Sequence, residues 1–427
     1  MDRFRIEGPV VLRGSVRASG AKNAALPALA ACLLASEPVE LSRLPRVRDI
    51  RTMCQLLGHL GVGYEEADGG ALRFTPGQAE AGEAPYELVK TMRAGVLSLG
   101  PLLACHGRAR VSLPGGCAIG VRPIDQHLAG LTALGADVRL AGGFVEASAP
   151  EPGRRLRGGR FRFAMPTVTG TENVLMAAVL AAGTSVLENC ALEPEVADLA
   201  RLLAAMGARI EGAGTATITV EGVAELGGAR HEIIPDRIEG GTYLLGAALT
   251  GGDVTLEDAE PADLAPLLEK LAEAGAAVDA GPDRVRVRAD AVELQAADVE
   301  TAPHPRFPTD LQAQYLALMT QARGVATVSE TVFENRFQHV PELARLGAVI
   351  EVHGGTARVH GPTPLAGAQV MATDLRASAC LVLAALAARG ETFVHRIYHL
   401  DRGYEGMERK LQSLGASVER VPGPDPD

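Results

Sequence analysis

The chain has 427 residues, of which 47% are hydrophobic and 22% charged, and its formal net charge is −11. This length fits two or three domains of usual size, and the negative charge argues against a general nucleic-acid surface while leaving room for a local basic pocket. No uncharged apolar run nears the roughly 18 residues of a membrane helix, and the charged N-terminus lacks the apolar core of a signal peptide, so we expect a cytoplasmic protein.

One phrase recurs six times along the chain: a hydrophobic helix end, a glycine, and then a strand. It occurs in GHLGVGYEE, TALGADVRL, AAMGARIEG, AEAGAAVDA, ARLGAVIEV and QSLGASVER. A glycine after a helix is typical of a left-handed C-cap, so each phrase predicts a helix end that leads into a strand. The glycines are Gly61, Gly135, Gly207, Gly275, Gly347 and Gly415.

A second phrase lies upstream in every unit, a small-residue helix followed by an alternating strand, as in MAAVLAAGTSVL and LVLAALAARGETFV. Each unit therefore reads strand, helix, strand, helix, strand, strand. Helices so rich in Ala, Leu and Gly are apolar all round and belong inside. The pattern predicts an α/β (α+β) protein of six βαβαββ units with sheets covering buried helices.

The termini predict how the six units divide. The last unit ends at GASVERVPGPDPD without a final strand, whereas the N-terminal FRIEGPVVLRGSVRASG has one to spare. If the N-terminal strand pairs with the last unit, the units divide three and three. We therefore expect a continuous domain over 21–234, a discontinuous domain over 1–20 plus 235–420, and a frayed tail at 421–427.

Polar residues stand where each small-residue helix begins. A cation at a helix N-terminus opposes the macrodipole, which makes better sense beside a bound anion. Several such helix starts would form a phosphate or carboxylate pocket, although a solvated surface charge explains any single one of them. The first-turn residues are Lys22, Asn23, Arg93, Arg237, Asp310 and Arg376.

Among six cysteines, Cys117 stands out because the loop LPGGCAIGVRP surrounds it with glycines and places Arg122 five residues on. Glycines permit movement and an arginine can lower a thiol pKa, so a catalytic and a structural role both remain open. Cys32, Cys105 and Cys380 lie within Ala/Leu helices, where a core position is expected. Motifs for a P-loop, a dinucleotide turn, a metal site or a serine hydrolase fail.

A set of long motifs resembles a known family. SGAKNAALP, KTMRAG, LPGGCAIGVRPID, HPRFPTDLQAQ, ETVFENRFQHVPEL, VMATDLRASA and YHLDRGYEGMERKL are similar to the UDP-N-acetylglucosamine 1-carboxyvinyltransferases of the enolpyruvyl transferase family. The motifs run from residue 5 to about 420. The resemblance implies two inverted α/β-barrel domains, each of three repeated units, with an active-site cleft between them.

The resemblance also implies an activity. It implies transfer of enolpyruvate from phosphoenolpyruvate to the 3-hydroxyl of UDP-N-acetylglucosamine with release of phosphate, the first committed step of peptidoglycan synthesis and hence of cell-wall biogenesis. The expected partners are these two small molecules, with no nucleic acid, no membrane and no metal or organic cofactor. Cys117 matches the thiol that protonates phosphoenolpyruvate and that fosfomycin alkylates, and Asp310 resembles the base near the sugar hydroxyl.

The remaining site residues are carried over by motif. The catalytic set implied is Cys117, Asp310, Lys22 and Arg402. Anion and reacting-centre contacts implied are Lys22, Asn23, Arg93, Arg122, Arg336, Asp374, Arg376 and Arg402. Nucleotide-sugar contacts implied are Arg122, Pro123, Ile124, Asp125, Gln126, Thr167, Val168, Val332 and Phe333.

One departure and two alternatives remain. PTVTGTENV has Thr167 and Thr169 where the family commonly reads Ser-Val-Gly, which puts the hydrogen bonds of that loop in doubt.

The first alternative is the shikimate-pathway enolpyruvyl transferase, against which the cysteine loop, ENRFQHV and DRGYE argue. The second is a catalytically silent, nucleotide-sugar-binding regulatory paralogue, which would be free to lose Cys117 or Asp310.

Overall fold

The computed structural model describes residues 1–77, 83–90, 92–113, 123–150, 155–290 and 292–423. They form two compact units: unit A, from residue 20 to residue 234, and unit B, which comprises 1–19 together with 235–423. Each unit has its own hydrophobic core. The α/β fold class predicted from the repeats is confirmed.

Helices and strands alternate along both units. The α-helices of unit A are α1 (Lys22–Ala31), α2 (Arg48–His59), α3 (Tyr86–Val89), α4 (Leu99–His106), α5 (Asp125–Ala133), α6 (Val168–Ala178) and α7 (Pro194–Ala205). Those of unit B are α8 (Arg237–Leu249), α9 (Pro261–Glu273), α10 (Gln312–Met319), α11 (Val340–Arg345), α12 (Leu375–Ala387) and α13 (Met407–Ser413). Short 3-10 helices span Cys32–Leu34, Asp68–Gly70, Arg93–Ser98, Thr309–Leu311 and Ile397–Arg402.

The strands are numbered in chain order. Unit B begins the chain with β1 (Asp2–Gly8) and β2 (Arg13–Arg17). Unit A contains β3 (Val39–Ser42), β4 (Gly63–Glu66), β5 (Leu72–Thr75), β6 (Glu83–Ala84), β7 (Arg108–Ser112), β8 (Asp137–Ala141), β9 (Phe144–Ser148), β10 (Arg160–Arg162), β11 (Thr184–Glu188), β12 (Arg209–Glu211), β13 (Thr217–Glu221) and β14 (Ala229–Glu232). Unit B continues with β15 (Asp253–Glu257), β16 (Ala277–Ala280), β17 (Arg284–Arg288), β18 (Val299–Glu300), β19 (Gly324–Ser329), β20 (Val349–His353), β21 (Thr356–Gly361), β22 (Gln369–Met371), β23 (Gly390–His395) and β24 (Ser417–Pro422).

The described strands form six four-stranded sheets that share one arrangement. In β10-β11-β13-β12, for example, β10 and β11 are parallel and the other neighbours antiparallel. The βαβ crossover through α6 makes the parallel pair, and the hairpin of β12 and β13 adds the antiparallel edge. The other sheets are β14-β3-β5-β4 and β6-β7-β9-β8 in unit A, and β16-β17-β15-β2, β18-β19-β21-β20 and β22-β23-β1-β24 in unit B.

The N-terminal strand closes unit B as the sequence predicts. β1 pairs antiparallel with both β23 and β24, so that it supplies the strand missing from the last repeat. β2 pairs in parallel with β15 and completes the first sheet of the same unit. Unit A is closed in a related way, because its last strand, β14, pairs in parallel with β3.

The small-residue helices lie inside. In α8, α10 and α12 nearly every side chain is buried, and these helices pack against one another within unit B. Helices α1, α4 and α6 are similarly buried in unit A. Few polar groups can be accommodated in such helices, so those present at their ends and faces mark the candidate site.

The repeated glycine has the backbone that the sequence predicts. All six glycines of the repeated phrase have positive φ, between 88° and 108°. A side chain at this φ is strained, and glycine therefore ends each helix at low cost.

Three expectations need correction. Residues 421 and 422, predicted to belong to a frayed tail, lie in β24 and pair with β1. Arg93 and Asp310 do not lie in the first turn of an α-helix, because a 3-10 helix, Arg93–Ser98 or Thr309–Leu311, precedes α4 and α10. Such tighter turns commonly begin α-helices. Cys105 is an exposed residue rather than a core one, since it lies in the last turn of α4, whereas Cys32 and Cys380 are buried. No helix of the described ranges is long and apolar enough to cross a membrane.

Candidate active site

The centre of the site in unit B is a carboxylate between two guanidinium groups. Arg336 donates from Nη2 to Oδ1 of Asp310 at 2.8 Å. Arg376 donates to Oδ2 from Nε at 3.2 Å and from Nη2 at 3.0 Å. Both arginine side chains are only 5% exposed, whereas Asp310 keeps 28% of its side chain open to solvent. Two cations against one anion leave a surplus positive charge beside a solvent-accessible carboxylate.

These contacts set the protonation state of Asp310. Burial by itself raises the pKa of the carboxyl group, but the guanidinium groups of Arg376 and Arg336 outweigh that effect and hold the pKa well below its usual range. Asp310 is therefore ionised at neutral pH and can act only as a hydrogen-bond or proton acceptor.

A turn after β19 supports the cluster. The carboxylate of Glu330 accepts the backbone N–H groups of Val332 and Phe333 at 2.8 and 3.1 Å. Its other oxygen accepts the hydroxyl of Thr309 at 2.7 Å, and that hydroxyl accepts Nη1 of Arg336 at 3.2 Å. The sequence predicted Val332 and Phe333 as substrate contacts, and the structure connects them to Asp310 through this chain of hydrogen bonds.

A buried polar network lies against the same cluster. Nε2 of Gln314 donates to the backbone carbonyl of Asp310 at 3.2 Å and to the hydroxyl of Tyr404 at 3.1 Å. Thr242 completes the network with a 3.0 Å hydrogen bond to Tyr404. The Tyr404 ring faces the Arg376 guanidinium at 5.5 Å from the ring centroid. Helices α8 and α10, together with Tyr404 after the 3-10 helix Ile397–Arg402, thus contact Asp310 and Arg376 from inside the unit.

Asp374 and Arg402 complete the predicted set in unit B. Asp374 is the N-cap of α12, and its Oδ1 accepts the backbone N–H groups of Arg376 and Ala377 at 2.8 and 3.0 Å. This cap satisfies free donors at the helix start, and it fixes the backbone from which Arg376 extends. Arg402 is half-buried at the end of the 3-10 helix Ile397–Arg402.

In unit A, Lys22 has a buried partner. It is the first residue of α1, and its Nζ lies 3.3 Å from Oδ2 of Asp49 in α2. Both side chains are at most 10% exposed. Asn23, the next residue, is exposed. The helix-start cations Lys22 and Arg376 are therefore both paired with a buried or partly buried carboxylate of the same unit.

Two helix starts of unit A lie together. The side chain of Gln126 in α5 accepts the backbone N–H of Met165 at 3.3 Å, just before α6. Thr167 is the N-cap of α6 and accepts the N–H of Gly170 at 3.3 Å. The hydroxyl of Thr169 lies 3.2 Å from Nε2 of His127. The two segments predicted to contact a nucleotide sugar, 123–126 and 167–168, are thus adjacent.

His127 belongs to a buried network behind these helix starts. Its Nδ1 lies 3.0 Å from Nδ2 of Asn173, whose Oδ1 accepts the N–H of Gly100 at 2.6 Å. Burial, assisted by the positive charge of Arg93, lowers the pKa of His127 to about 4. The imidazole is therefore neutral at pH 7 and serves as a structural hydrogen-bond partner.

Comparison with known proteins assigns the family. Residues 6–411 match the family model of EPSP synthase (3-phosphoshikimate 1-carboxyvinyltransferase). The chain is also 54% identical, over 99% of its length and 100% of the relative's, to the UDP-N-acetylglucosamine 1-carboxyvinyltransferase of Xylella fastidiosa (strain 9a5c). The chain belongs to the EPSP synthase family. The resemblance drawn from the motifs is confirmed.

Two solved structures have a similar fold. The enolpyruvyl transferase NikO from Streptomyces tendae superposes with a TM-score of 0.88 at 27% identity, over 99% of each chain. An EPSP synthase from Acinetobacter baumannii superposes with a TM-score of 0.74 at 18% identity, over 99% of this chain and 100% of that one. The second likeness is one of fold alone.

The predicted site residues of this EPSP synthase family member fall into three groups. In unit B, Asp310, Arg336 and Arg376 are in direct contact, and Val332 and Phe333 join them through Glu330. In unit A, Gln126 contacts the segment that leads into Thr167, whereas Lys22 is tied to α2. Cys117 and Arg122 lie outside the described residues.

Sequence reasoning missed several residues that hold the predicted ones. These residues are Glu330, Thr309, Asp49 and His127. Apart from the local contacts of Glu330 with Val332 and Phe333, their partners lie far away in the chain, where no local pattern predicts them. A usable signal was present for two of them. Thr309 lies beside Asp310 in FPTD, and Glu330 begins ETVFEN, two of the motifs that carry the family resemblance.

Proposed function

We propose that the chain transfers the enolpyruvyl group of phosphoenolpyruvate to the 3-hydroxyl of UDP-N-acetylglucosamine and releases inorganic phosphate, the first committed step of peptidoglycan synthesis. The carboxylate of Asp310 between Arg336 and Arg376 carries the proposal, in a chain 54% identical to a protein named for this reaction. A carboxylate can accept a hydroxyl proton, and surplus cationic charge suits phosphate and carboxylate groups. The proposal includes a cytoplasmic location.

The steps balance without any further reactant. Sugar O3 bonds to C2 of phosphoenolpyruvate, its proton passes to Asp310, and the methylene carbon gains a proton from Cys117. The adduct then returns a proton from that carbon to the Cys117 thiolate, and the bond between C2 and the phosphate oxygen breaks, which restores the double bond. The leaving phosphate takes the proton held by Asp310, so that both residues regain their starting states. No oxidant or organic cofactor is needed, since all transferred atoms come from the two substrates.

Cations neutralise the substrate during these steps. The phosphate and carboxylate of phosphoenolpyruvate keep their negative charges while cationic character develops at C2, so fixed positive partners are required. We assign this role to Lys22, Arg93, Arg122, Arg336, Arg376 and Arg402. Asn23 and Asp374 would help to hold the reacting groups.

The low pKa of Asp310 has a consequence for the base role. A carboxylate held by Arg336 and Arg376 is a weak proton acceptor. Anionic substrate groups that engage these guanidinium groups weaken their pull on the carboxylate and raise its pKa. Asp310 would therefore become a stronger base when phosphoenolpyruvate is bound.

In unit A the proposed nucleotide-sugar contacts are assigned to the two adjacent helix starts, and in unit B they are assigned to the turn after β19. The contacts would be made by Arg122, Pro123, Ile124, Asp125, Gln126, Thr167 and Val168, with Val332 and Phe333. Free N–H groups at the start of α6 suit a diphosphate. The hydroxyl of Thr169 contacts Nε2 of His127, so we do not assign this side chain to the nucleotide sugar.

The two alternatives receive less support. EPSP synthases of solved structure are 18% and 19% identical to this chain, far below the 54% of the relative named for UDP-N-acetylglucosamine. A catalytically silent paralogue has no reason to keep Asp310 in contact with both arginines.

Phosphate release is the test. Wild type with UDP-N-acetylglucosamine and phosphoenolpyruvate should release phosphate, shikimate 3-phosphate should fail as acceptor, and Asp310→Asn should be nearly inactive. Cys117→Asp should keep activity and resist fosfomycin, whereas Cys117→Ser should lose activity, if the thiol acts as a replaceable acid. No phosphate release from folded wild type would instead favour the regulatory paralogue.

A further inference from the structure

We propose that Glu330 is a positioning residue that holds the guanidinium group of Arg336, and through it the carboxylate of Asp310, in a fixed relation to the turn that carries Val332 and Phe333. The inference rests on the proposed function, in which that turn contacts the sugar and Asp310 takes its proton. Glu330 itself touches neither reacting atom in this assignment.

The two oxygens of Glu330 have separate tasks. Oε1 accepts the N–H groups of Val332 and Phe333, which is enough to close the turn after β19. Oε2 contributes nothing to the turn and instead accepts the hydroxyl of Thr309 at 2.7 Å. The Glu330 residue is 7% exposed, so its charge is accommodated by these neutral donors. A purely structural cap would need only the first oxygen.

The hydroxyl of Thr309 can both donate and accept a hydrogen bond, and this lets it join its two neighbours. A carboxylate accepts hydrogen bonds and a guanidinium donates them. The hydroxyl therefore donates to Glu330 and accepts Nη1 of Arg336 at 3.2 Å. Serine could make the same bridge, whereas valine, of nearly the same shape, could not.

Glu330 reaches Arg336 from a second direction. The Phe333 ring, whose backbone N–H is held by Glu330, lies with its centroid 5.0 Å from the Arg336 guanidinium carbon. Thr309 meets Nη1 of the same guanidinium, and Nη2 faces Asp310 at 2.8 Å. The guanidinium is thus fixed by the turn and by the hydroxyl at once, so a displacement of the turn moves the partner of Asp310.

The first experiment follows the pH titration of the Asp310 carboxyl group by carbon-13 NMR on aspartate-labelled protein. The signal of Asp310 is assigned by its loss in Asp310→Asn. In wild type the signal should not titrate down to pH 4. In Thr309→Val and Glu330→Gln it should titrate at higher pH, because Arg336 is no longer aligned with the carboxylate. Thr309→Ser should restore the wild-type behaviour. This measurement needs no catalysis.

The second experiment uses steady-state kinetics. Thr309→Val should lower kcat by about 10- to 100-fold, the effect of one lost charge-assisted hydrogen bond, with KM for UDP-N-acetylglucosamine within about twofold. Glu330→Gln should lower kcat and also raise that KM, since a neutral amide oxygen holds the two N–H groups of the turn more weakly than a carboxylate does. In both variants the acid limb of the kcat/KM profile should move to higher pH. Matched controls are Thr255→Val in β15 and Glu351→Gln in β20, in other strands of unit B.

The outcomes separate the two proposals. An inactive wild type would reject the proposed function, and the NMR titration would still decide the positioning role. An Asp310 titration in Thr309→Val and Glu330→Gln identical to wild type would overturn the inference, as would a Thr309→Ser variant that behaves like Thr309→Val. If Glu330→Gln fails to fold, the comparison of Thr309→Val with Thr309→Ser decides by itself whether the bridge to Arg336 positions Asp310.

Discussion

Arg376 donates two hydrogen bonds, from Nε and Nη2, to a single oxygen of Asp310, Oδ2. The other oxygen is left to Arg336. The carboxylate is thus the internal counter-ion of two buried guanidinium groups that would otherwise attract an external anion. Removing it should therefore change anion binding and catalysis in opposite directions.

Asp310→Asn tests this relationship. We expect kcat to fall by about 10²- to 10⁴-fold, the usual contribution of a general base. Affinity for inorganic phosphate should increase, because Arg336 and Arg376 lose their internal counter-charge. Isothermal titration with phosphate and the phosphate-release assay measure the two effects, with exposed Asp279→Asn as control. Weaker phosphate binding in Asp310→Asn would contradict the idea that the arginines serve anions.

The buried pair of Lys22 and Asp49 should stabilise unit A. Asp49→Asn removes the charged carboxylate that contacts the buried ammonium of Lys22, and we expect the free energy of unfolding to fall by about 2 kcal/mol. Urea denaturation measures it, and Asp68→Asn, at an exposed position, is the matched control. Equal stability of the two variants would show that the pair contributes nothing.

Two buried histidines should make stability depend on pH. Burial, with the positive charge of Arg93 or Arg336 nearby, lowers the pKa of both His127 and His339 to about 4, although Asp374 acts in the opposite direction on His339. Since the unfolded chain binds these protons near pH 6.5, stability falls as pH drops from about 6.5 to about 4.

The histidine effect can be measured in two ways. Each residue should lower the free energy of unfolding by about 2 kcal/mol between pH 7 and pH 5, so His127→Gln should be less sensitive to this pH change than wild type. Side-chain NMR should show both imidazoles neutral at pH 5. A titration midpoint near 6.5 for either ring would refute the prediction for that residue.

Two helical glycines should respond in opposite directions to alanine. A Cβ at Gly100 would lie 2.3 Å from the carbonyl oxygen and 2.5 Å from Oδ1 of Asn173, so Gly100→Ala should destabilise unit A by about 2 kcal/mol or more. A Cβ at Gly58 meets nothing within 4 Å, and Gly58→Ala should stabilise by roughly 0.5 to 1 kcal/mol. Thermal unfolding of Gly100→Ala and Gly58→Ala measures both changes in stability. A stabilising Gly100→Ala would mean that α4 and α6 can move apart at little cost in free energy.

Much of the fold was readable because its signals are local. A helix that ends in the left-handed region favours glycine at that position. The glycine recurs at Gly61 and at five further positions, and this recurrence predicted the six repeated units. The unpaired N-terminal strand likewise predicted the pairing of β1 with β23 and β24, since a missing strand leaves an unsatisfied sheet edge.

For the candidate site, the sequence predicted which residues belong to it but not how they contact one another. Motifs named Asp310, Arg336 and Arg376, but nothing local states that the carboxylate lies between two guanidinium groups whose residues are 26 and 66 positions away. That arrangement depends on how α10, the turn after β19 and α12 pack, and packing is decided by the whole core rather than by neighbours in sequence.

Local signals in the sequence predicted the repeat, the fold class and the candidate site residues, since caps, periodicity and motifs act over a few residues. The contacts that hold those side chains, in contrast, depend on the tertiary structure. The carboxylate of Glu330, the hydroxyl of Thr309 and the counter-ion Asp49 act through single hydrogen bonds between distant elements. Such bonds exist only once the backbone is in place, because a hydrogen bond is strong only over a few tenths of an ångström and a narrow range of angles.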